Sequence, residues 1–388
     1  MSKRLPTVWP AEPHTVAKIE ILKGYLHAWF RILGKTRPGE TLLYVDGFAG
    51  PGYYTNHDEG SPLAALRVAE GAITSLDGQF AAKELHCVFI EADPKRYDVL
   101  KETVAPFVGK PRLTVTHEHC EFVTGIGRLS SKVPGPFLGK GPLFVFADPF
   151  GATMTPFRVF ADCMRGDTAE LLINLDADGA GRILAAESNN RHDEQMDALF
   201  GGDCWKKRLT ARGDLPALSL QILDLYKERL RTLHGVKYVW SFAMRSKSGK
   251  SDTLNYHLVF ATKHPLGMKK MKEAMRKIDG TGAYSFSDAH IAQQVLFRDD
   301  NDQVYADKLF AHFDGKTATP DDVETYALNE TPFTSAKPML ILLQKKGRLE
   351  VEAVPGEKLK AGTFPDGKVK KLRFGKFAVC EEQGVLSI

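Results

Sequence analysis

The chain has little cysteine, no long hydrophobic run and no low-complexity tract, and each lack excludes a class of protein. Five cysteines in 388 residues, Cys87, Cys120, Cys163, Cys204 and Cys380, are scattered, odd in number and free of any Cys-x-x-Cys pair. That argues against a disulfide framework and against a zinc module, and fits a reduced, cytoplasmic setting. No apolar run approaches the roughly 20 residues that cross a bilayer, so no membrane role is expected. The opening Met1-Ser-Lys-Arg-Leu-Pro lacks the apolar stretch of a secretion signal. Composition is otherwise ordinary, 43% apolar and 26% charged. A chain of this length outgrows one core, so two or three domains are expected.

The net charge of +4 is unevenly spread. From Glu330 to Ile388 there are 11 Lys or Arg against 7 Asp or Glu, and the rest of the chain is balanced. A basic C-terminal segment is compatible with nucleic-acid contact, though a solvated face has the same composition.

Periodicity organises the first three-quarters into alternating elements. Ile19, Leu22, Leu26, Trp29 and Leu33 recur at helical spacing, and Gly34 follows. Short apolar runs at 41–45, 87–90, 113–116, 143–147 and 171–174 read as strands separated by helices, which predicts a doubly wound, mostly parallel sheet. Residues 191–217 read as a polar, irregular insertion. A helix over 218–234 follows, then a hairpin of 238–243 and 256–261, then a helix over 266–277. Five parallel strands closed by an antiparallel hairpin form the plan of a seven-stranded, Rossmann-type, class I methyltransferase-like sheet. The boundaries expected are a helical segment over 1–40, the sheet domain over 41–316 and a basic winged-helix-like module over 317–388.

Ligands of open α/β sheets bind beyond the carboxyl ends of the strands. The first strand ends in Asp46-Gly47-Phe48-Ala49-Gly50-Pro51-Gly52, where glycines permit close backbone approach and Asp46 can bond an amine or a bridging water. Nicotinamide dinucleotides call for G-x-G-x-x-G with an acid about 20 residues on. Here the spacing is Gly47-x-x-Gly50-x-Gly52, and Glu91 lies 39 residues past Gly52. Glu91 ends the second strand, where a carboxylate can take both hydroxyls of a ribose. Cys120 and Glu121 follow the third, where an adenine ring would be held. His117-Glu118-His119-Cys120 lacks the second ligand pair of a usual zinc site, so no metal is expected. Asp148, Pro149 and Phe150 close the fourth strand, and a carboxylate beside an aromatic platform can position an amine for methyl transfer. The run Met244–Ser251 ends like a phosphate-binding loop, but Met244 stands where its first glycine belongs, and it reads as a basic loop between strands.

These residues resemble the three-Cys-motif partner (TcmP) family. The resemblance spans nearly the whole chain: His14-Thr15-x-x-Lys18 with Tyr25-Leu26 and Trp29, Tyr44–Gly52, Gly60–Leu63, Phe89-Ile90-Glu91, Asp148–Gly151, Tyr256–Thr262, Met271-Lys272-x-x-Met275 and Thr331-Pro332-Phe333. It implies an S-adenosylmethionine site and a radical-type three-Cys-motif protein as partner. A second resemblance, to ribosomal-RNA adenine-N6 methyltransferases, rests on the Gly-rich loop, Gly60-Ser61-Pro62, Glu84-Leu85-His86 and Asp148-Pro149. Those enzymes carry Asp/Asn-Pro-Pro-Tyr/Phe, whereas Asp148-Pro149-Phe150-Gly151 lacks the second proline. The leading expectation is methyl transfer from S-adenosylmethionine to a nucleic acid at an amine nitrogen, with His14, Lys18 and Tyr53 on the substrate side. A small-molecule or peptide methyltransferase and a silent binding module stand beside it.

Overall fold

The computed structural model describes residues 6–149, 155–185, 190–211, 213–248, 251–279, 285–287 and 302–377. The chain divides into two compact units, 1–295 and 296–388.

In the first unit the order is α1 (Pro13–Thr36), β1 (Thr41–Asp46), α2 (Ser61–Leu76), β2 (Glu84–Glu91), α3 (Pro94–Val104), β3 (Leu113–His119), α4 (Phe122–Lys132), α5 (Pro134–Phe137) and β4 (Leu143–Ala147). It continues with α6 (Phe157–Cys163), β5 (Ala169–Leu175), α7 (Ala177–Ala185), α8 (Asn190–Phe200), α9 (Trp205–Arg208) and α10 (Leu215–Arg231). The hairpin β6 (Tyr238–Ser248) and β7 (Ser251–Thr262), then α11 (Pro265–Ile278) and β8 (Ser285–Ser287), complete it. The sheet order is β3-β2-β1-β4-β5-β7-β6-β8. Strands β1 to β5 are parallel and β7 runs antiparallel between β5 and β6. This is the class I methyltransferase-like arrangement with one strand more than expected, because β8 adds to β6 in parallel. Three residues are too few to leave a periodic signal.

Both faces of the sheet are covered, which is why its parallel strands read as continuous apolar runs. On β1, Leu43 and Val45 join the core beneath α4, α6 and α10. Tyr44 faces the other way and stacks on Phe144, with centroids 5.9 Å apart. Tyr25 and Trp29 of α1 pack against the same Phe144. Helix α1 lies against α2 and α11, so the expected 1–40 segment is a covering helix of the sheet unit.

Two further expectations change. The stretch 191–217 is not irregular: α8 buries Met196, Leu199 and Phe200, spaced i, i+3, i+4, against the core. The basic loop shrinks too, since β6 continues to Ser248 and β7 begins at Ser251, with a register irregularity between Met244 and Arg245.

The second unit runs α12 (Asp302–Phe313), β9 (Thr317–Ala318), α13 (Pro320–Glu330), α14 (Lys337–Lys345), β10 (Leu349–Ala353) and β11 (Val369–Phe374). Its antiparallel sheet is ordered β10-β11-β9. Helix, strand, two helices and a two-stranded wing make a winged-helix-like unit. It takes in α12, which the boundary at 316 had left outside, since Leu309 and Phe313 share one core with Val323, Met339, Leu343 and Leu372. A capping box starts α13: Thr319 Oγ1 accepts from the Asp322 N–H at 3.1 Å, and Asp322 accepts from the Thr319 N–H at 3.0 Å.

Candidate functional site

Four polar residues terminate or nearly terminate parallel strands, and the topology gathers them at one end of the sheet: Asp46 on β1, Glu91 on β2, Asp148 after β4 and Asn174 on β5.

The loop after β1 is shaped by its glycines. Gly50 and Gly52 have φ of 62° and 92°, the left-handed region that side chains disfavour. A Cβ on Gly47 would lie 2.4 Å from the Phe122 ring. That ring, the first residue of α4, also packs on Phe48 with centroids 5.3 Å apart. Cys120 and Glu121 immediately precede it; Cys120 is half-buried and Glu121 exposed. The Ala49 N–H donates to the Ile90 carbonyl, and the Gly50 N–H donates to Glu91 Oε2 at 2.9 Å. The other Glu91 oxygen accepts from the Asp93 N–H at 2.7 Å. Glu91 is thus fixed by the loop it faces. Burial raises its pKa, and the two backbone donors oppose that shift.

Asp46 is wholly buried. Its Oδ1 accepts from the Phe48 N–H at 3.3 Å, while Oδ2 is buried without a partner. Burial pushes its pKa up to about 7, against the lowering by Ser61 and Phe48. An acceptor left open in this position calls for a donor from a ligand or a water.

Asp148 follows β4, two residues beyond Phe146, the register partner of Asp46 on β1. Lys18 of α1 pairs with its Oδ2, and Asn174 Nδ2 donates to its Oδ1 at 2.6 Å. Asn174 Oδ1 is buried and unpartnered. The Lys18 ammonium also lies 5.1 Å from the Tyr256 ring centroid, and His14 meets that ring edge-on. Of the residues expected on the substrate side, Lys18 is therefore brought to Asp148 and His14 to the Tyr256 ring that Lys18 faces. Pro149 is half-buried, while Phe150 and Gly151 lie outside the described residues.

Tyr53 is placed differently. It is 37% exposed, and its neighbour Tyr54 turns inward instead. Burial and the charges of Asp148 and Asp46 hold the Tyr54 phenol well above its ordinary pKa. Tyr54 meets Trp9 edge-on, and Trp9 lies over Gly50 beneath the Arg96 guanidinium. Sequence reasoning missed Trp9, Tyr54, Asn174 and Tyr256 as site residues. Only Asn174 left a signal, a polar residue near the end of an apolar run.

The tempting histidines are occupied elsewhere. His117 bonds the Tyr97 hydroxyl at 2.8 Å, and His119 stacks on the Tyr97 ring. Among the described residues no group of three His, Cys, Asp or Glu could hold a metal, and Cys87, Cys120, Cys163 and Cys204 are free. No helix among them is long and apolar enough to cross a membrane.

No family model matches the chain, and no curated protein does. Among solved structures, it is similar to an O-methyltransferase from Bacillus cereus in complex with SAH, at 13% identity and TM-score 0.33, covering 62% of this chain and 80% of that one. It is also similar to a precorrin-6y C5,15-methyltransferase from Geobacter metallireducens, at 10% identity and TM-score 0.29, covering 67% and 100%. At such scores the fold assignment rests on strand order, not on these likenesses.

Proposed function

We propose that this chain is an S-adenosylmethionine-dependent methyltransferase that acts on a nucleic acid at an amine nitrogen. The observation that carries the reading is Asp46 Oδ2, a buried acceptor without a partner at a glycine-cradled strand end. The donor set fits the cofactor. Asp46 accepts from its amine, directly or through water, and Gly47–Gly52 admits its chain. Each Glu91 oxygen keeps a lone pair for a ribose hydroxyl beyond the loop N–H it already accepts. Cys120 and Glu121 flank the adenine. When bound, the cofactor supplies an electrophilic methyl on sulfur.

The remaining work is positioning by this chain's own groups. Asn174 Oδ1 and Asp148 are adjacent acceptors, suited to the two hydrogens of an amino group. Lys18 balances the charge of Asp148, so the carboxylate is oriented without being left as a lone anion. Tyr54 and Tyr256 offer aromatic surface beside them. The winged-helix-like unit supports a nucleic acid as acceptor: Lys345, Lys358 and Lys360 are exposed and form no ion pair among the described residues.

A second reading is favoured by one feature. Lys18 and Asn174 already engage both Asp148 oxygens, so the acceptor must share that carboxylate. A small molecule or peptide, supplied by a radical-type three-Cys-motif partner, meets that demand more readily than a base held in a polymer.

Incubation with methyl-labelled cofactor and separate RNA, DNA and small-molecule fractions decides between them. Label in RNA or DNA supports the first reading, and label in small molecules the second. With the acceptor in hand, Asp148→Ala is expected to lose turnover while cofactor affinity stays within about threefold, roughly 0.65 kcal/mol. Wild-type turnover in Asp148→Ala would remove Asp148 from the site.

A further inference from the structure

A second polar constellation lies at the opposite end of the sheet and takes no part in the site above. A cavity of about 320 Å³ opens between α1, α11 and the adjoining ends of β5 and β7, lined among others by Tyr25, Trp29, Leu33, Glu170, Thr262 and Leu266. That is the size range of small-ligand pockets. Its walls are mostly apolar and aromatic. Glu170 is a carboxylate with only 7% of its surface exposed. Tyr25 and Thr262 donate their hydroxyls to its two oxygens, each at 2.6 Å. Burial raises the Glu170 pKa, against the lowering by Thr262, Tyr25 and the Trp29 indole, whose N–H falls outside hydrogen-bond geometry.

No cation pairs with Glu170 among the described residues. The cavity's own lysines are engaged elsewhere: Lys263 donates to the Met164 and Gly166 carbonyls, and Lys270 pairs with Glu273. Space is also kept clear. A Cβ on Gly267 would come within 2.3 Å of Glu170 Oε1. Buried anions are normally paired, and an indole and a phenol beside one form a surface that attracts cations. We propose that this cavity binds a small organic cation, an ammonium or amidinium on a flat apolar body, with Glu170 as its counter-ion.

The ligand is not the methyl acceptor. Glu170 and Asn174 lie four residues apart on β5, about 13 Å at the strand rise. A molecule on Glu170 therefore sits too far from the Asp148–Asn174 end to react there. It would act through α1, which carries Tyr25 and Trp29 to the cavity and Lys18 to Asp148.

Benzamidine and its neutral isostere benzamide test this on the full chain by calorimetry. Saturable benzamidine binding at least tenfold tighter than benzamide is expected. Glu170→Gln should abolish the preference, and Leu266→Trp, at an exposed position on the lining, should weaken both probes. Equal or absent binding of the two probes by the wild type would overturn the proposal, as would a preference that survives both substitutions. Circular dichroism checks folding, and if Glu170→Gln fails to fold, Leu266→Trp decides. S-Adenosylmethionine affinity, measured in parallel, reports on the other end of the sheet, so the two readings can fail separately.

Discussion

Asp46 is a residue whose placement favours ligand chemistry over stability. Its folded pKa, about 7, stands above the ordinary aspartate value of 3.8, so the folded state binds this proton more tightly than the unfolded chain does. Stability from this group is therefore full below about pH 4 and is lost as pH rises through about 7, a difference of at most about 4 kcal/mol. Asp46→Asn removes the titration. It is expected to be more stable than wild type at pH 8, by up to about 4 kcal/mol, with the gap closing toward pH 4. Denaturant melts of both proteins across that range measure it. A gap that does not change with pH would mean that this pKa is not raised in the folded state. Gly47 shows the complementary constraint. Its missing Cβ leaves room for the Phe122 ring, so Gly47→Ala should lose about 1–3 kcal/mol by overpacking, read as a lower denaturation midpoint.

Among the elements, α1 does more than cover the sheet. It closes one wall with Tyr25 and Trp29 and delivers Lys18 to Asp148, 130 residues away in sequence. Removing one partner of a mostly buried pair strands the other, so Lys18→Met should destabilise by roughly 2–3 kcal/mol, discounted from the fully buried case because Asp148 keeps 19% of its side chain exposed. Adding Asp148→Asn should recover part of that loss, and a double-mutant cycle by chemical denaturation measures the coupling. Strict additivity would mean that the pair contributes nothing in solution. The same elements show what was legible beforehand. The acids ending β1 and β2 and following β4 stood out because each interrupts an apolar run, and the sheet's plan followed from those runs. Tyr54 and Trp9 were not legible, since only the fold decides which of two adjacent tyrosines turns inward. The apolar triad of α8 was present but sits in a polar stretch. The outer arms of β6 and β7 are fixed by their mutual register, which leaves no apolar pattern to read.

At the scale of the whole molecule, the second unit, 296–388, carries 14 Lys or Arg against 15 Asp or Glu, and its positive charge is confined to the stretch from Glu330 on, so any grip on nucleic acid belongs to that stretch and not to the unit's net charge. Many of that stretch's cations are already paired, Lys368 with Glu357 and Lys370 with Glu352, so its local excess overstates what it offers a phosphate backbone. The exposed Lys345, Lys358 and Lys360 are among those with no ion pair among the described residues. If they contact phosphates, the logarithm of affinity for RNA or DNA falls linearly with the logarithm of salt, with a slope of about −0.9 per contact on a duplex and −0.7 on a single strand. Reversing all three to glutamate should flatten that slope by up to about 2–3 and weaken binding across sequences alike, while cofactor affinity stays unchanged. Fluorescence anisotropy against a salt series reads both quantities. A slope that survives the triple reversal would move the phosphate contacts off these three lysines. A wild-type chain with no salt-dependent binding to RNA or DNA would favour the small-molecule reading, because a polymer acceptor cannot be held without neutralising part of its charge.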